Sequence, residues 1–444
     1  MMGIPNLPKK LPSRNWMIFW TLLGTFSAAV VYDKREKRRA TARWARSVAH
    51  LATEPLASPT QMPRRLTIYL EAPPGDGLRA AQDHFAEYVK PVLAASGLDW
   101  EFVQGRRQGD VRAAVAERVR RTRQPPRQPQ QQQNPKQGSA GQEEEPPALT
   151  QAEIIHDVRV RNGTPEWEGI RGDVIVGRHT WKEYIRGLHE GWLGPLTAPA
   201  PPEPEVKVAA TTTTAEGEVS DSAESKPEEK KEEEKEPEKK PERPPQPPPY
   251  NSPADYAESA LPASIPAELG PAAPIPFPHV LGFSKTPTRL ARFLNRRKLA
   301  DDIGREVAAV CLATAREFEN RRPGGEGEDS AASELETTLD HEERDWPKWV
   351  RKDAEQAEIE SRTGGEGGDG SNLKKEFIWA RPMVVDPRIG ERMRRFELAA
   401  ADAERAGAIS VPEEDVEGWL KGGVRSLWRW ATAKPEPRPN WADE

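Results

Sequence analysis

Residues 65–103 read RLTIYLEAPPGDGLRAAQDHFAEYVKPVLAASGLDWEFV, and the fold turns on them. Leu66, Ile68 and Leu70 alternate with Thr67 and Tyr69, the period of a half-buried strand. The run Pro73-Pro74-Gly75-Asp76-Gly77 breaks it, and Leu78, Ala81, Phe85, Tyr88, Val89 and Val92 then recur at helical spacing up to Gly97. Trp100, Phe102 and Val103 mark a second strand, and a helix from residue 110 to about 121 carries Val111, Val115 and Val119 on one side. Strand, helix, strand, helix implies a parallel sheet covered by helices, so the expected class is α/β.

Downstream, residues 124–147 have no apolar periodicity and are expected to form a disordered insertion in an α/β domain spanning 63–195. The pattern resumes with Ile154, Ile155 and Val158 on a helix, a short buried strand Asp173-Val174-Ile175-Val176, and a helix with Trp181, Ile185 and Leu188. A spacer at 198–249 alternates Glu, Lys and Pro and reads as a solvated tether. Beyond it a second mixed α/β domain is expected over 250–432, with flexible breaks at 323–330 and 363–371 and a tail at 433–444. Its elements are a Pro-rich approach through Ile275-Pro276-Phe277-Pro278, helices at 288–298 and 301–318, a strand at 377–385, a helix at 387–402 and a terminal helix.

Upstream, behind an N-terminal segment 1–15, residues 16–32 (WMIFWTLLGTFSAAVVY) are the only uncharged apolar run long enough to cross a bilayer. Trp16, Trp20 and Tyr32 sit where amphipathic rings prefer the headgroup level. A charged run, Asp33-Lys34-Arg35-Glu36-Lys37-Arg38-Arg39, follows in place of a small-residue cleavage site, so a single uncleaved span is expected. Residues 33–62 are expected to form a basic amphipathic helix, with Trp44, Val48 and Leu51 on one face and Arg35, Arg38, Arg39, Arg43 and Arg46 over the rest. The pattern fits an internal targeting or membrane-surface helix and a solvated juxtamembrane helix equally well.

Forty-five Pro, 33 Gly and a mean hydropathy of -0.80 show that much of the 444-residue chain does not pack. The net charge of -6 hides an asymmetry, because ten Lys or Arg stand against Asp33 and Glu36 in residues 1–50. That basic end lies beside the span, where anionic lipid attracts it, and no basic stripe with interleaved aromatics continues into a nucleic-acid-binding module. One cysteine, Cys311, excludes an internal disulfide framework and a Cys-based zinc site, and its apolar neighbours make it a buried small side chain. The His residues have no ligand spacing, and no metal or cofactor is assigned.

Two strand-to-helix loops carry the remaining chemistry. Gly75-Asp76-Gly77 lacks the spacing of a dinucleotide fingerprint and the Lys of a phosphate loop, and reads as a tight turn. Val176-Gly177-Arg178-His179-Thr180 stands where open α/β sheets bind ligands. This region and 66–92 resemble diacylglycerol-kinase-type lipid kinases, whose loop there is a Gly-Gly-Asp-Gly-Thr run. This chain keeps Gly177 and Thr180 and inserts Arg178 and His179, whose side chains obstruct close backbone approach. The family's Asn-Pro after the first strand is Ala72-Pro73 here, so the resemblance implies a kinase-like sheet without its glycine loop or its chemistry. His156 and His179 have no identifiable nucleophile or carboxylate partner. Trp346, Trp349, Trp419, Trp428 and Trp430 form a candidate partner interface, with packing inside the chain the alternative.

Longer blocks carry a second resemblance. They are Leu11-Pro12-Ser13-Arg14-Asn15-Trp16-Met17-Ile18-Phe19, Ala72-Pro73-Pro74-Gly75-Asp76-Gly77, Phe293-Leu294-Asn295-Arg296-Arg297, Ile303-Gly304-Arg305-Glu306 after Asp301, Asp386-Pro387-Arg388-Ile389 and Arg394-Arg395-Phe396-Glu397. Together they resemble the fifty-four-kilodalton subunit family of the mitochondrial inner-membrane carrier translocase, in its fungal form. The resemblance implies a single-pass inner-membrane protein with its bulk in the intermembrane space, beside a multi-pass channel subunit, with small soluble chaperones delivering carrier precursors. A docking scaffold without a bond-making role is then expected, the alternatives being a membrane-anchored lipid kinase and a tether for other inner-membrane complexes. The basic residues between Lys34 and Arg46 outnumber Lys9, Lys10 and Arg14, so charge alone would put the bulk in the matrix.

Overall fold

The computed structural model describes residues 13–55, 60–124, 169–197, 246–319, 333–363, 376–416 and 419–432, with a few positions between 154 and 167. The expected insertion beyond Gln124, the spacer up to residue 245, the breaks at 323–330 and 364–371, the tail and the first twelve residues lie outside the described residues.

Helix α1 (Arg14–Val48) is one helix of 35 residues, where the sequence reading expects a span followed by a separate basic helix. No Gly or Pro interrupts residues 33–48, so nothing ends the helix where the apolar run ends. A 3-10 turn (Ala49–Thr53) tightens it before Glu54-Pro55 stops it. Among the described residues this is the one helix long and apolar enough to cross a membrane, and its apolar half buries nothing within the protein. From Asp33 on it joins the folded body, with Asp33, Trp44 and Val48 buried.

The body is a six-stranded sheet in the order β2-β1-β3-β4-β6-β5. Its first unit follows the sequence reading: β1 (Arg65–Glu71), α2 (Leu78–His84), α3 (Lys90–Ser96), β2 (Asp99–Gly105) and α4 (Asp110–Arg123). A π-turn (Phe85–Val89) joins α2 to α3, just before Pro91, which brings no N–H to the helical ladder. Next come β3 (Asp173–Val176), α5 (Arg178–Leu193), β4 (Ala272–Ile275), α6 (Thr286–Phe293), α7 (Arg296–Leu312), β5 (Ala315–Glu317), α8 (Lys348–Thr363), β6 (Arg394–Phe396), α9 (Ala400–Ala408) and α10 (Trp419–Thr432). All neighbours pair in parallel except β5 with β6.

The sheet crosses the boundary at which a second domain is expected, because β3 pairs with β4 from Asp173↔Ala272 to Val176↔Ile275. Ala-Ala-Pro-Ile has little strand propensity, so β4 reads as linker, and burial of all four residues supplies what propensity does not. Two expected helices are shorter than their periodicity implies. Ala313 adopts φ 59° and α7 ends at Leu312, six residues short of the expected 318, and the 387–402 segment divides into a single helical turn, β6 and α9. The strand expected at 377–385 is a turn whose Ile378 and Trp379 are buried. Ile154, Ile155 and Val158 are exposed.

Both faces of the sheet are covered. On one, Leu66, Ile68 and Leu70 pack with Phe85, Val92, Ile303 and Val307, and Trp44 and Val48 of α1 close that layer. On the other, Tyr69 and Ile175 pack under Val111 and Val115 of α4 and Trp181 and Ile185 of α5. β1 is therefore buried along six of its seven residues instead of on one face. Cys311 is buried in the first layer.

Helix α1 also fixes which end of the sheet faces the span. Lys37 pairs with Glu87, and a Cβ on Gly97 would lie 3.1 Å from that of Ala52. So α1 runs alongside α2 and α3 in their direction, opposite to the strands, and the strands' carboxyl ends point back toward the apolar half of α1.

Candidate functional site

The carboxyl ends of the parallel strands are where an open α/β sheet would hold a ligand. Gly177 turns the chain from β3 into α5 at φ 88°, and a Cβ there would sit 2.7 Å from the His179 ring. The N–H of Arg178 donates to Glu342 Oε2 at 2.9 Å, and the N–H of Phe277, just past β4, donates to Oε1 at 2.6 Å. A helix N-terminus with free N–H groups is a ready anion site, and here the chain's own carboxylate takes it.

Glu343 continues the closure. Arg178 Nε donates to it at 2.7 Å while Nη1 donates to the Thr338 carbonyl at 2.7 Å. Lys182 Nζ lies 3.0 Å from Glu343 and donates to the Trp379 carbonyl at 2.7 Å. Burial pushes Glu342 up to about 7, against the pull of the two N–H bonds. Beneath it, burial first and the neighbouring Glu183 second push Glu71 well above the carboxylate range. Glu183 is raised by burial too, although it accepts N–H bonds from Gly109 at 2.6 Å and Arg112 at 3.2 Å.

His179 is fully enclosed, its Nε2 3.1 Å from the Glu71 carbonyl. A carbonyl only accepts, so Nε2 carries the proton, and burial holds the ring's pKa at about 4. Its partner is backbone, which makes it a packed structural group. The Gly75-Asp76-Gly77 turn closes on itself, with the Asp76 N–H donating to the Pro73 carbonyl at 3.1 Å and the Gly77 N–H to Asp76 Oδ1 at 2.8 Å. His156 lies outside the described residues.

The basic half of α1 meets the folded body. Trp44 is buried, and its Nε1–H donates to Asp301 at 2.6 Å while Arg43 pairs with the same carboxylate. Gly304 is what lets α7 approach, since a Cβ there would lie 2.2 Å from the Trp44 ring. Arg35 pairs with Glu413 at 2.7 Å, Arg39 with Glu36 at 2.7 Å and Arg46 with Asp415 at 2.6 Å, while Arg38 is exposed. A polar cleft of about 600 Å³ opens between α1 and α7, lined by Arg39, Arg43, Arg297, Lys298 and Asp301 among others. Trp16, Trp20 and Tyr32 are exposed on the apolar half.

The candidate tryptophans differ in exposure. Trp346 is half-buried with Lys182 5.6 Å from its ring, Trp349 is exposed at the start of α8, and Trp428 is exposed on α10. The side chains of Trp419 and Trp430 lie outside the described residues. Sequence reasoning missed Glu342 altogether. It sits in His341-Glu342-Glu343-Arg344-Asp345, a run that reads as solvated charge and carries no periodic signal.

Comparison with known proteins bears on this arrangement. The family model described as inner membrane protein import complex subunit Tim54 matches residues 1–396. A Neurospora crassa protein named mitochondrial import inner membrane translocase subunit tim54 is 54% identical over 439 residues, covering 98% of this chain and 87% of that relative. Proteins of the same name are 42% identical over 465 residues in Aspergillus oryzae, covering 99% of this chain and 93% of that relative, and 31% identical over 358 residues in Schizosaccharomyces pombe, covering 79% and 90%.

Proposed function

The chain belongs to the Tim54 family of mitochondrial inner membrane protein import complex subunits, and we propose that it serves that complex as a non-enzymatic scaffold supporting insertion of multi-pass carrier proteins. The observation that carries this reading is the continuity of α1, which passes without a joint from an apolar half into the core of the body. One helix cannot line a pore, but a helix without a joint holds a domain at a set height and angle to the bilayer. The closed end of the sheet supports the same reading, because the N–H groups that a nucleotide phosphate would need are already bound to Glu342.

In this reading the bulk lies in the intermembrane space, and the partners are a multi-pass channel subunit, small soluble chaperones and the carrier precursors they deliver. Trp349 and Trp428, exposed on different helices, are the surface tryptophans that partners would meet. The basic half of α1 would act as an internal import signal before folding, when Arg35, Arg39 and Arg43 have not yet found their carboxylates.

Native separation of membranes solubilised in mild detergent tests the scaffold. Co-migration with the channel subunit, together with loss of carrier insertion on depletion, supports it. Migration apart, or depletion that spares carriers and disturbs another complex, overturns it. Protease added after rupture of the outer membrane tests the side: cleavage of the body supports the intermembrane space, and protection that persists for the denaturant-loosened body overturns it.

A further inference from the structure

We propose that α6 and the turn before it form a second membrane contact, lying in the headgroup layer of an anionic bilayer beside the span. The segment lies at the height of the span's end. The Arg297 guanidinium lies 5.4 Å from the Tyr32 ring and its Nη1 is 3.4 Å from Asp33, so α7 begins at the level where the apolar half of α1 ends. The segment entering α7 is α6, on the end of the sheet that points back toward the span.

That segment is built unlike the rest of the surface. None of the residues Thr286–Phe293 is buried. Phe283 is 93% exposed, and Leu290 and Phe293 are exposed as well. Leu290 and Phe293, three residues apart, lie on one side of α6, and Phe283 stands in the turn just before it. Between Phe283 and Lys298 the chain carries Lys285, Arg289, Arg292, Arg296, Arg297 and Lys298 and no acidic residue. Asp345 takes Lys285 and Arg292 on the inner side at 3.4 and 2.6 Å and Arg296 stands 3.6 Å from Glu87, while Arg289 and Lys298 are exposed.

An eight-residue helix with no buried side chain lacks the packing that holds short helices in water. An apolar stripe flanked by cations is what lies in a lipid interface: the rings enter the acyl boundary and the cations meet phosphate. Charge chooses lipid over a protein neighbour here, since a basic segment at headgroup height faces a continuous anionic surface. With the span as one attachment and this stripe as another, the body cannot swivel about α1, and the sheet's closed end is held toward the bilayer.

The test uses the full chain reconstituted through its span into phosphatidylcholine vesicles, with or without phosphatidylglycerol, carrying quencher on the acyl chains. Cys311 is replaced by Ser, and an environment-sensitive fluorophore is attached at Leu290→Cys or Phe293→Cys. Leu23→Cys in the span controls for insertion, and Val384→Cys marks an exposed apolar site elsewhere. The expected result is blue-shifted emission and quenching at Leu290 and Phe293 approaching those at Leu23, several-fold above Val384, and reduced by Arg289→Glu with Lys298→Glu. Quenching at Leu23 with aqueous emission at both α6 sites overturns the proposal and makes the stripe a protein-docking face. Quenching indifferent to both phosphatidylglycerol and the charge reversals overturns its anionic part.

Discussion

The closed end of the sheet and the surface of α6 lie on the same end of the molecule and resolve opposite problems. At the closed end the groups nearest the loop have partners from within: Glu342 on two backbone N–H groups, Arg178 on Glu343 and Thr338, and Lys182 on Trp379. On α6 and the turn before it, Phe283, Leu290, Phe293 and Arg289 have been left exposed. The first region is where an α/β enzyme would keep donors free for a substrate, and the second is where a soluble protein would keep rings covered. In the proposed reading, a sheet that fills its ligand position and bares a basic apolar stripe beside a span would make its contacts with surfaces in place of small molecules.

Breaking the junction between these regions is expected to have the largest effect. Trp44→Ala removes a buried ring from between α1 and α7 and orphans Asp301 of its indole donor. Large-to-small changes of this kind cost about 3–5 kcal/mol, so unfolding of the full chain in mild detergent should show a loss near the middle of that range. A loss below about 1 kcal/mol would mean that the basic half of α1 stands off the body. Next comes Glu342→Ala, which leaves the N–H groups of Arg178 and Phe277 without an acceptor. An unpaired buried group costs about 1–3 kcal/mol, giving about 3 kcal/mol for the two if water fills part of the space. ATP at saturating concentration should not restore that stability, and restoration would reopen the site as a phosphate cradle.

Acidity adds a second test, because the body buries titratable groups whose effects have opposite sign. His84, His179 and His189 are buried with pKa values of about 4, each beside a backbone carbonyl. An unfolded His takes a proton near 6.5 while these do not, so their contribution is lost as pH falls from about 6.5 toward 4. Glu342, at about 7 in the fold, works the other way: the native state holds a proton that the unfolded chain releases near 4.5, so stability falls as pH rises toward 7. Glu71, raised well above the ordinary range, has the same sign. Below about pH 6.5 the two sets offset each other, and above it only the carboxyl groups act. Stability should therefore decline by roughly 1–2 kcal/mol from about pH 6.5 to pH 8, and Glu342→Gln should flatten that slope. A slope unchanged in Glu342→Gln would remove Glu342 from the account.

Much of this fold was legible and the site was not, for one physical reason. β1, α2, α3, β2 and α4 follow from periodicity, because each buries a face against a neighbour close in sequence. β4, β5 and β6 have four, three and three residues, and their pairing is made by partners far along the chain. Ala-Ala-Pro-Ile becomes a strand only because β3 and β6 lie on either side of it. The loop Gly177-Arg178-His179 was visible as a departure from a kinase pattern, but its plug was not, since Glu342 is 164 residues away from Arg178 and looks like surface charge. Phe283, Leu290 and Phe293 were visible only as apolar letters. Their exposure is a tertiary fact, set by the anchoring of α7 to α1.

The smallest expected effect separates two uses of the same residue type. Arg35 and Glu413 stand 2.7 Å apart with side chains 46% and 55% exposed. Such a pair gains little in high dielectric and spends side-chain entropy to form, so Arg35→Ala should lower stability by less than about 1 kcal/mol. At high salt even that difference should disappear, since screening acts over about 10 Å or less. Phe293→Ser, also on the surface, should lower stability in detergent by less than about 1 kcal/mol, because the ring is exposed and meets the Arg296 guanidinium rather than a buried core. In vesicles the two should part: Phe293→Ser alters how the body sits on anionic lipid, while Arg35→Ala, already paired to Glu413, does not. If Arg35→Ala shifted the body on the bilayer as much as Phe293→Ser, the cations of α1 would belong to the membrane contact, and the division between an inward-paired helix and an outward-facing one would fail.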